Sequence, residues 1–260
     1  MLFSELLASW QRSPGRIVSA APEDWKQGRA MFGGLQAALG LGAMRTLVPA
    51  LPLRCLQATL LAPASGDTVC AEAKILRQGK SAVHVEARLM EGDQLLGVLI
   101  GIFGSARESS VAYSPVQPAV SSAAPRRMPY VAGISPTFTQ YFEATWLSGD
   151  LPYSGSTARE AVVQINMKDE VPSTEYHVVA IADYIPPVAL AFLNKPCNGS
   201  TMTWMLEFLT DNLTGLPLEG WRVDAEMQAA EYGYTHQSVM IWAPDGTPVA
   251  LSRQNMVIFG

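Results

Sequence analysis

Three polar residues stand out by type and place. Asp183 is a carboxylate inside the apolar stretch VVAIADYIPPVAL, Thr201 lies in STMTWMLEFL, and Gln254 lies in VALSRQNMVIF. Together they supply one group that can take a proton and two that can orient a hydrogen-bonded neighbour. Pro186 and Pro187 follow Asp183 closely. A proline pair is tolerated in a first helical turn, whose N–H groups lack partners anyway, so Asp183 is expected at or beside a helix start. There the helix dipole and free amides would favour its ionised form by about 0.3 to 1 kcal/mol. A plain N-cap is the alternative reading of this acid. Taken singly, Thr201 reads as a β-branched strand residue with a satisfied hydroxyl, and Gln254 as a surface residue of an alternating strand.

A repeat gives the three their weight. Gly66, Ala71, Glu72, Gly79 and Gly92 match Gly220, Ala225, Glu226, Gly233 and Gly246 at one constant offset of 154. The glycines fall between apolar runs, where turns belong. At that offset Gln254 stands opposite Ile100, so the polar set belongs to the second copy only. A duplicated skeleton with one specialised half is the expectation.

The elements that must position these residues follow the same plan twice. Gly33 and Gly34 precede LQAALGLGAMRTLV, whose apolar residues recur at helical spacing, so a helix is expected to start at the glycine pair and to be apolar almost all round. Four strand-like runs follow, LRCLQATLLA, DTVCAEAKILRQ, SAVHVEARLME and LLGVLIGIFG, separated by turn residues. The second copy offers VVAIADYIPPVALAFLN as its helix region, then STMTWMLEFLT, WRVDAEMQAAEYG, YTHQSVMIWA and TPVALSRQNMVIFG as strands. Between the copies the chain is rich in Ser, Ala and Pro and lacks periodicity. This divides the chain into an N-terminal repeat over 1–104, a linker over 105–136 and a C-terminal repeat over 137–260.

Bulk properties and failed motifs remove other functions. With 48% hydrophobic and only 16% charged residues the chain is not disordered, and it has no apolar run of the roughly 18 residues a spanning helix needs. No membrane role is expected, and the start MLFSELLASWQRSPGR does not read as a secretory signal, so a cytoplasmic location is expected. The net charge of −5 and the scattered basic residues argue against a nucleic-acid partner. Cys55, Cys70 and Cys197 lack metal or disulfide spacing, so no metal site is expected. Gly79-Lys80-Ser81 looks like the end of a phosphate loop, but Lys74 stands where that loop needs glycine. GxSxG, HExxH and a cysteine with a plausible histidine are all missing, and His84, His177 and His236 read as non-catalytic.

Several pieces in order carry a resemblance. They are Trp25, Phe32-Gly33-Gly34 with Ala37-Ala38, and the run Ile75 to Ser81; then Ala182-Asp183 with Pro186-Pro187, the strand Thr201 to Phe208, and Trp242-Ala243-Pro244-Asp245-Gly246 leading to Ser252-Arg253-Gln254. Over nearly its whole length the chain resembles the acyl-CoA thioesterase II family. The resemblance implies an α+β double hot-dog, in which each half wraps a curved antiparallel sheet around one long helix. It implies hydrolysis of an acyl-CoA to a free fatty acid and CoA, with Asp183, Thr201 and Gln254 jointly holding the attacking water. It places the protein in fatty acid metabolism and implies a homodimer or higher homo-oligomer. No cofactor is implied, CoA being part of the substrate. The amides of Gly33 and Gly34 become candidates for an oxyanion hole or a phosphate contact, beside the simpler role of close packing. Arg77 and Lys80 could meet a coenzyme phosphate, solvated turn charges being the plainer account. Met202, Trp204, Met205 and Met227 could shape an acyl slot, or only fill a core. The family often reads Thr-x-Asp where this chain has Thr201-Met202-Thr203. A hot-dog hydratase fits less well, since those enzymes carry a histidine five residues after the Asp and here Val188 stands there. A catalytically silent acyl-CoA-binding or scaffold protein of the same fold is the alternative from another class.

Overall fold

The computed structural model of the chain describes residues 1–120 and 124–259. Its first half contains α1 (Phe3–Ser9), β1 (Gln11–Ser13), β2 (Arg16–Ala20), the short β3 (Lys26–Gln27) and β4 (Ala30–Met31), and α2 (Gly33–Arg45). Then come β5 (Leu53–Leu60), β6 (Thr68–Gln78), β7 (Ala82–Glu91) and β8 (Gln94–Gly104). The second half contains β9 (Arg126–Met128), β10 (Phe142–Ser148), β11 (Glu160–Met167), α3 (Glu175–Ala182) and a 3-10 turn over Val188–Phe192. It closes with β12 (Gly199–Phe208), β13 (Trp221–Glu231), β14 (Tyr234–Trp242) and β15 (Pro248–Ile258).

Thirteen of these strands form one sheet in the order β1-β2-β6-β7-β8-β5-β12-β15-β14-β13-β11-β10-β9. On each side of the β5–β12 pair the same spatial pattern appears. The two halves meet through an antiparallel ladder running from Thr203↔Thr59 to Glu207↔Cys55. Strand alternation puts Trp204, Leu206 and Phe208 on the buried inner face. Helix α2 packs against β2, β6, β7 and β8, and α3 packs against α2. In α2 every residue from Gly34 to Met44 is buried, as the apolar run predicts. A Cβ on Gly42 would lie 2.7 Å from Trp10 and 2.8 Å from Ile17, so a residue that costs about 1 kcal/mol in a helix interior is what lets strand and helix approach. The two helices pack side by side and antiparallel, with the start of α2 against the end of α3 and the end of α2 against the start of α3.

Three expectations need correction. The second helix does not run through Asp183. It ends one residue earlier, and the proline pair separates it from the 3-10 turn, because prolines without N–H groups cannot continue the ladder of α3. The linker region is not wholly irregular: β9 pairs with β10, and the Pro118 carbonyl accepts a bond from Arg222, while 121–123 lie outside the described residues. Finally, the constant offset breaks down in the last strand. At 154, buried Leu99 would match exposed Arg253, and half-buried Ile100 would match buried Gln254. The turn before β8 has two residues and the one before β15 has five, so the copies slip by an odd step, which exchanges faces. Ile100 pairs with Gln57 and Glu86 and faces outward, whereas Gln254 faces the helices.

Candidate active site

Asp183 is the C-cap of α3, with φ −99° and ψ 0°. The sequence-based expectation of a helix start is met in an unexpected way, by the other half of the chain. The first turn of α2 abuts the carboxylate so closely that a Cβ on Gly33 would come within 2.6 Å of Asp183 Oδ2. Only glycine leaves that room. The backbone amide of Gly34 donates toward the carboxylate and favours its charged form. The negative end of α3 lies at the same point, and protein surrounds the group although it keeps a partial opening to solvent. Burial dominates: it pushes the pKa of Asp183 up to about 7, against the lowering effect of the Gln254 side chain and the Gly34 amide. The expectation that a helix start keeps this acid ionised is thereby corrected, because loss of hydration outweighs the Gln254 hydrogen bond and the nearby Gly34 amide.

Gln254 lies on the inner face of β15, only 3% exposed, so its reading as a surface residue does not hold. Its Nε2 donates to Asp183 Oδ1 at 2.7 Å. Its Oε1 accepts from Gln237 Nε2 at 3.1 Å, and Gln237 Oε1 accepts from the Val188 backbone N–H at 3.0 Å. Gln237 was not among the residues the sequence singled out. The signal was present in YTHQSVMIW, where Thr235, Gln237, Val239 and Ile241 share one side of an alternating strand and Gln237 is the long polar side chain on it.

Thr201 reaches the inner face through a β-bulge. It pairs with Met256, Thr203 pairs with Asn255, and Met202 is the extra residue between them. Without the bulge Thr201 would face outward; with it, Thr201 shares the face and the neighbourhood of Gln254. Its hydroxyl is bonded neither to Asp183 nor to Gln254, so the carboxylate and the amide touch while the hydroxyl stands one step along the strand. Thr203 is exposed on the opposite face, so the departure from Thr-x-Asp falls away from the inner site. Met202 and Met205 also point away from it, leaving Trp204 and Met227 as the buried members of the expected slot.

Aromatic rings wall the start of α2. Phe32 stacks on Phe138 with centroids 3.9 Å apart, and Phe138 meets Tyr184 edge-on at 6.2 Å. An open groove of about 670 Å³ lies against Leu193 through Asn198 and Phe259. The Phe259 N–H donates to the Asn198 carbonyl, which sets this groove at the strand ends next to Thr201.

Arg77 and Lys80 are not brought alongside. Arg77 lies in the row His84, Ile102, Cys55, Glu207, whereas Gln254 lies in the row of Trp204, Ala58 and Leu99. Four strands lie between theirs, so five inter-strand spacings separate them, roughly 24 Å across the sheet, and about 10 Å along it. Both side chains are exposed. His177 belongs to the fold: it is buried, lies 3.2 Å from Asp169 and 2.8 Å from the Thr174 hydroxyl, and burial lowers its pKa. Among the described residues no group of three or more His, Cys, Asp or Glu is placed to hold a metal, and no helix is long and apolar enough to cross a membrane.

Two family models match the chain, the acyl-CoA thioesterase N-terminal domain over residues 21–104 and the acyl-CoA thioesterase C-terminal domain over residues 115–258. No curated protein sequence matches it. Among solved structures, a conserved hot dog protein of unknown function from Alicyclobacillus acidocaldarius is similar with a TM-score of 0.85 at 20% identity, covering 98% of this chain and 97% of that one. An acyl-CoA thioesterase II from Mycobacterium marinum gives 0.74 at 14% identity, covering 98% and 97%. The dehydratase domain of RzxB from Pseudomonas fluorescens gives 0.59 at 11% identity, covering 93% of each chain. At such identities these likenesses speak for the fold, which carries more than one chemistry.

Proposed function

Since the chain belongs to the acyl-CoA thioesterase family, we propose that it hydrolyses an acyl-CoA to a carboxylic acid and CoA, with Asp183 as general base. We read the two halves as tandem hot-dog repeats sharing this one site. The observation that carries the reading is a carboxylate with its pKa at about 7, placed between two helix ends and hydrogen-bonded by Gln254. A base that titrates near working pH is both available and strong enough to draw a proton from water.

In the reaction a water held by the Asp183 carboxylate, the second N–H of Gln254 and the Thr201 hydroxyl gives its proton to Asp183. Its oxygen adds to the thioester carbonyl carbon. The carbonyl oxygen becomes an oxyanion facing the start of α2, whose first-turn N–H groups have no acceptor within the helix. Collapse breaks the carbon–sulfur bond, and the departing thiolate takes the proton from Asp183, which restores the base. No covalent intermediate is required. Phe32, Phe138 and Tyr184 limit bulk water around the reacting carbon. The coenzyme portion leaves through the groove at Leu193 to Asn198, where Lys195 offers a positive charge.

The test is release of free thiol from acyl-CoAs of short, medium and long chain by wild type and by Asp183→Asn. Release by wild type and its loss in D183N are expected. Saturable binding without release from any acyl-CoA would turn the reading into that of a silent acyl-CoA-binding protein.

A further inference from the structure

Resting on the thioesterase reading, we propose that Gln237 is a positioning residue for this reaction: it fixes which way the Gln254 amide points, and so presents Asp183 with a donor at every turnover. A primary amide can be turned end for end, and one facing a carboxylate with its oxygen would repel the base. The direction here is set from outside. The Val188 backbone N–H can only donate, so the Gln237 atom 3.0 Å from it must be the oxygen. That leaves the Gln237 nitrogen to donate 3.1 Å to Gln254, whose facing atom must then be its oxygen. The Gln254 nitrogen is left for Asp183 Oδ1, at 2.7 Å. One backbone amide therefore orients two side-chain amides in series.

Burial makes this orientation persistent. Gln237 is 1% and Gln254 3% exposed, so water cannot replace a broken link, and turning either amide would set two oxygens or two N–H groups face to face. Besides burial, the groups acting on the ionisation of Asp183 are the Gln254 side chain and the Gly34 amide. Gly34 is fixed by the helix. Gln254 is the one that could turn, and Gln237 is what holds it. The relay also ties the base to the Val188–Phe192 turn behind the proline pair. A further result is a division of roles: with its oxygen turned toward Gln237, Gln254 presents N–H groups to the carboxylate and the water, and Asp183 is left as the base.

The test is a double-mutant cycle on Gln237→Met and Gln254→Met, read by the titration of the Asp183 carboxyl carbon in NMR spectra, with D183N assigning the resonance, and by the pH dependence of kcat. Q254M should raise the Asp183 midpoint by about one pH unit. Q237M should raise it by a smaller step, lower kcat about 10-fold and leave KM within about twofold. The double variant should match Q254M alone, because Gln237 acts only through Gln254. Gln237→Asn, which keeps an amide too short to span from Val188 to Gln254, carries the same cycle should Q237M not fold. An unmoved midpoint in a folded Gln237 variant, or a double variant showing the sum of both shifts, overturns the proposal. Should wild type release no thiol at all, the thioesterase reading fails, and the NMR midpoints still decide the relay.

Discussion

The two helices meet at both of their ends, and the two junctions are built on opposite electrostatic principles. At one junction Arg45, in the last turn of α2, forms a bidentate pair with Glu175, in the first turn of α3, at 2.6 and 2.7 Å. Each charge sits where the helix dipole favours it. Arg45 also donates to the carbonyls of Val48 and Leu51, and its guanidinium lies 4.7 Å over the Phe103 ring. This end is closed and satisfied. At the other junction a lone acid sits at the C-terminus of its own helix, where negative charge is disfavoured. Among the described residues no cation compensates it, and two amides only partly offset its burial. The two ends of one helix pair are thus a satisfied clamp and a carboxylate whose burial is only partly compensated. The difference lies in what faces each helix end.

If the asymmetry is functional, the largest effect belongs to the acid. D183N should lose about 10²- to 10⁴-fold in kcat, measured by thiol release. The same variant should be more stable than wild type in urea titrations at pH 8. The folded state holds the Asp183 proton more tightly than the unfolded chain, so its favourable contribution is complete below about pH 3.8 and is lost as pH rises to about 7. The gain at pH 8 has an upper bound of about 4 kcal/mol. Equal turnover by D183N would erase the distinction between the two ends. Next in size is the pH profile: kcat/KM should fall about tenfold per unit below pH 7, where an ordinary carboxylate would hold the profile flat to about pH 5. Gly33→Ala should then cost about 10- to 100-fold in kcat, since its Cβ must displace Oδ2. Arg45→Met at the clamp should show the converse pattern, about 3 kcal/mol less stable in denaturant titrations, with kcat/KM within about twofold of wild type. Smallest of all, Arg77→Ala with Lys80→Ala should change KM by less than about twofold, because solvated charges five strand spacings from Gln254 add little binding energy.

Sequence reasoning located the helix of the first half to its first residue, and eight of the nine strands that have eight or more residues, β11 being the one it missed. Those elements were legible because their apolar periodicity repeats over many residues. It singled out Asp183 and Gln254, but placed each in the wrong setting. Asp183 looked like a helix start because the prolines after it suit one. The helix start that reaches it comes from residues about 150 positions earlier, which no local pattern can reveal. Gln254 looked exposed because alternation says which residues share a face without saying which face is buried. Gln237 was passed over because its meaning depends on register: it lies directly across the ladder from Gln254 and beneath a backbone amide freed by the proline pair. The slip between the repeats was hidden by glycines that keep their spacing while the turn between strands changes length.

The seam between β5 and β12 bears on how the protein is made. Thr59 and Thr203 are neighbours there, yet 144 residues separate them in the chain. As the chain emerges from the ribosome, the first half can complete its meander while β5 waits as an open edge with unpaired N–H and carbonyl groups. Until β12 is synthesised, another copy of the same half is the best available partner for that edge. A fragment ending at Gly104 is therefore expected to self-associate through β5. It would also carry Gly33 and Gly34 without Asp183 or Gln254, so the cluster of carboxylate, amide and helix start would be complete only with the last strand.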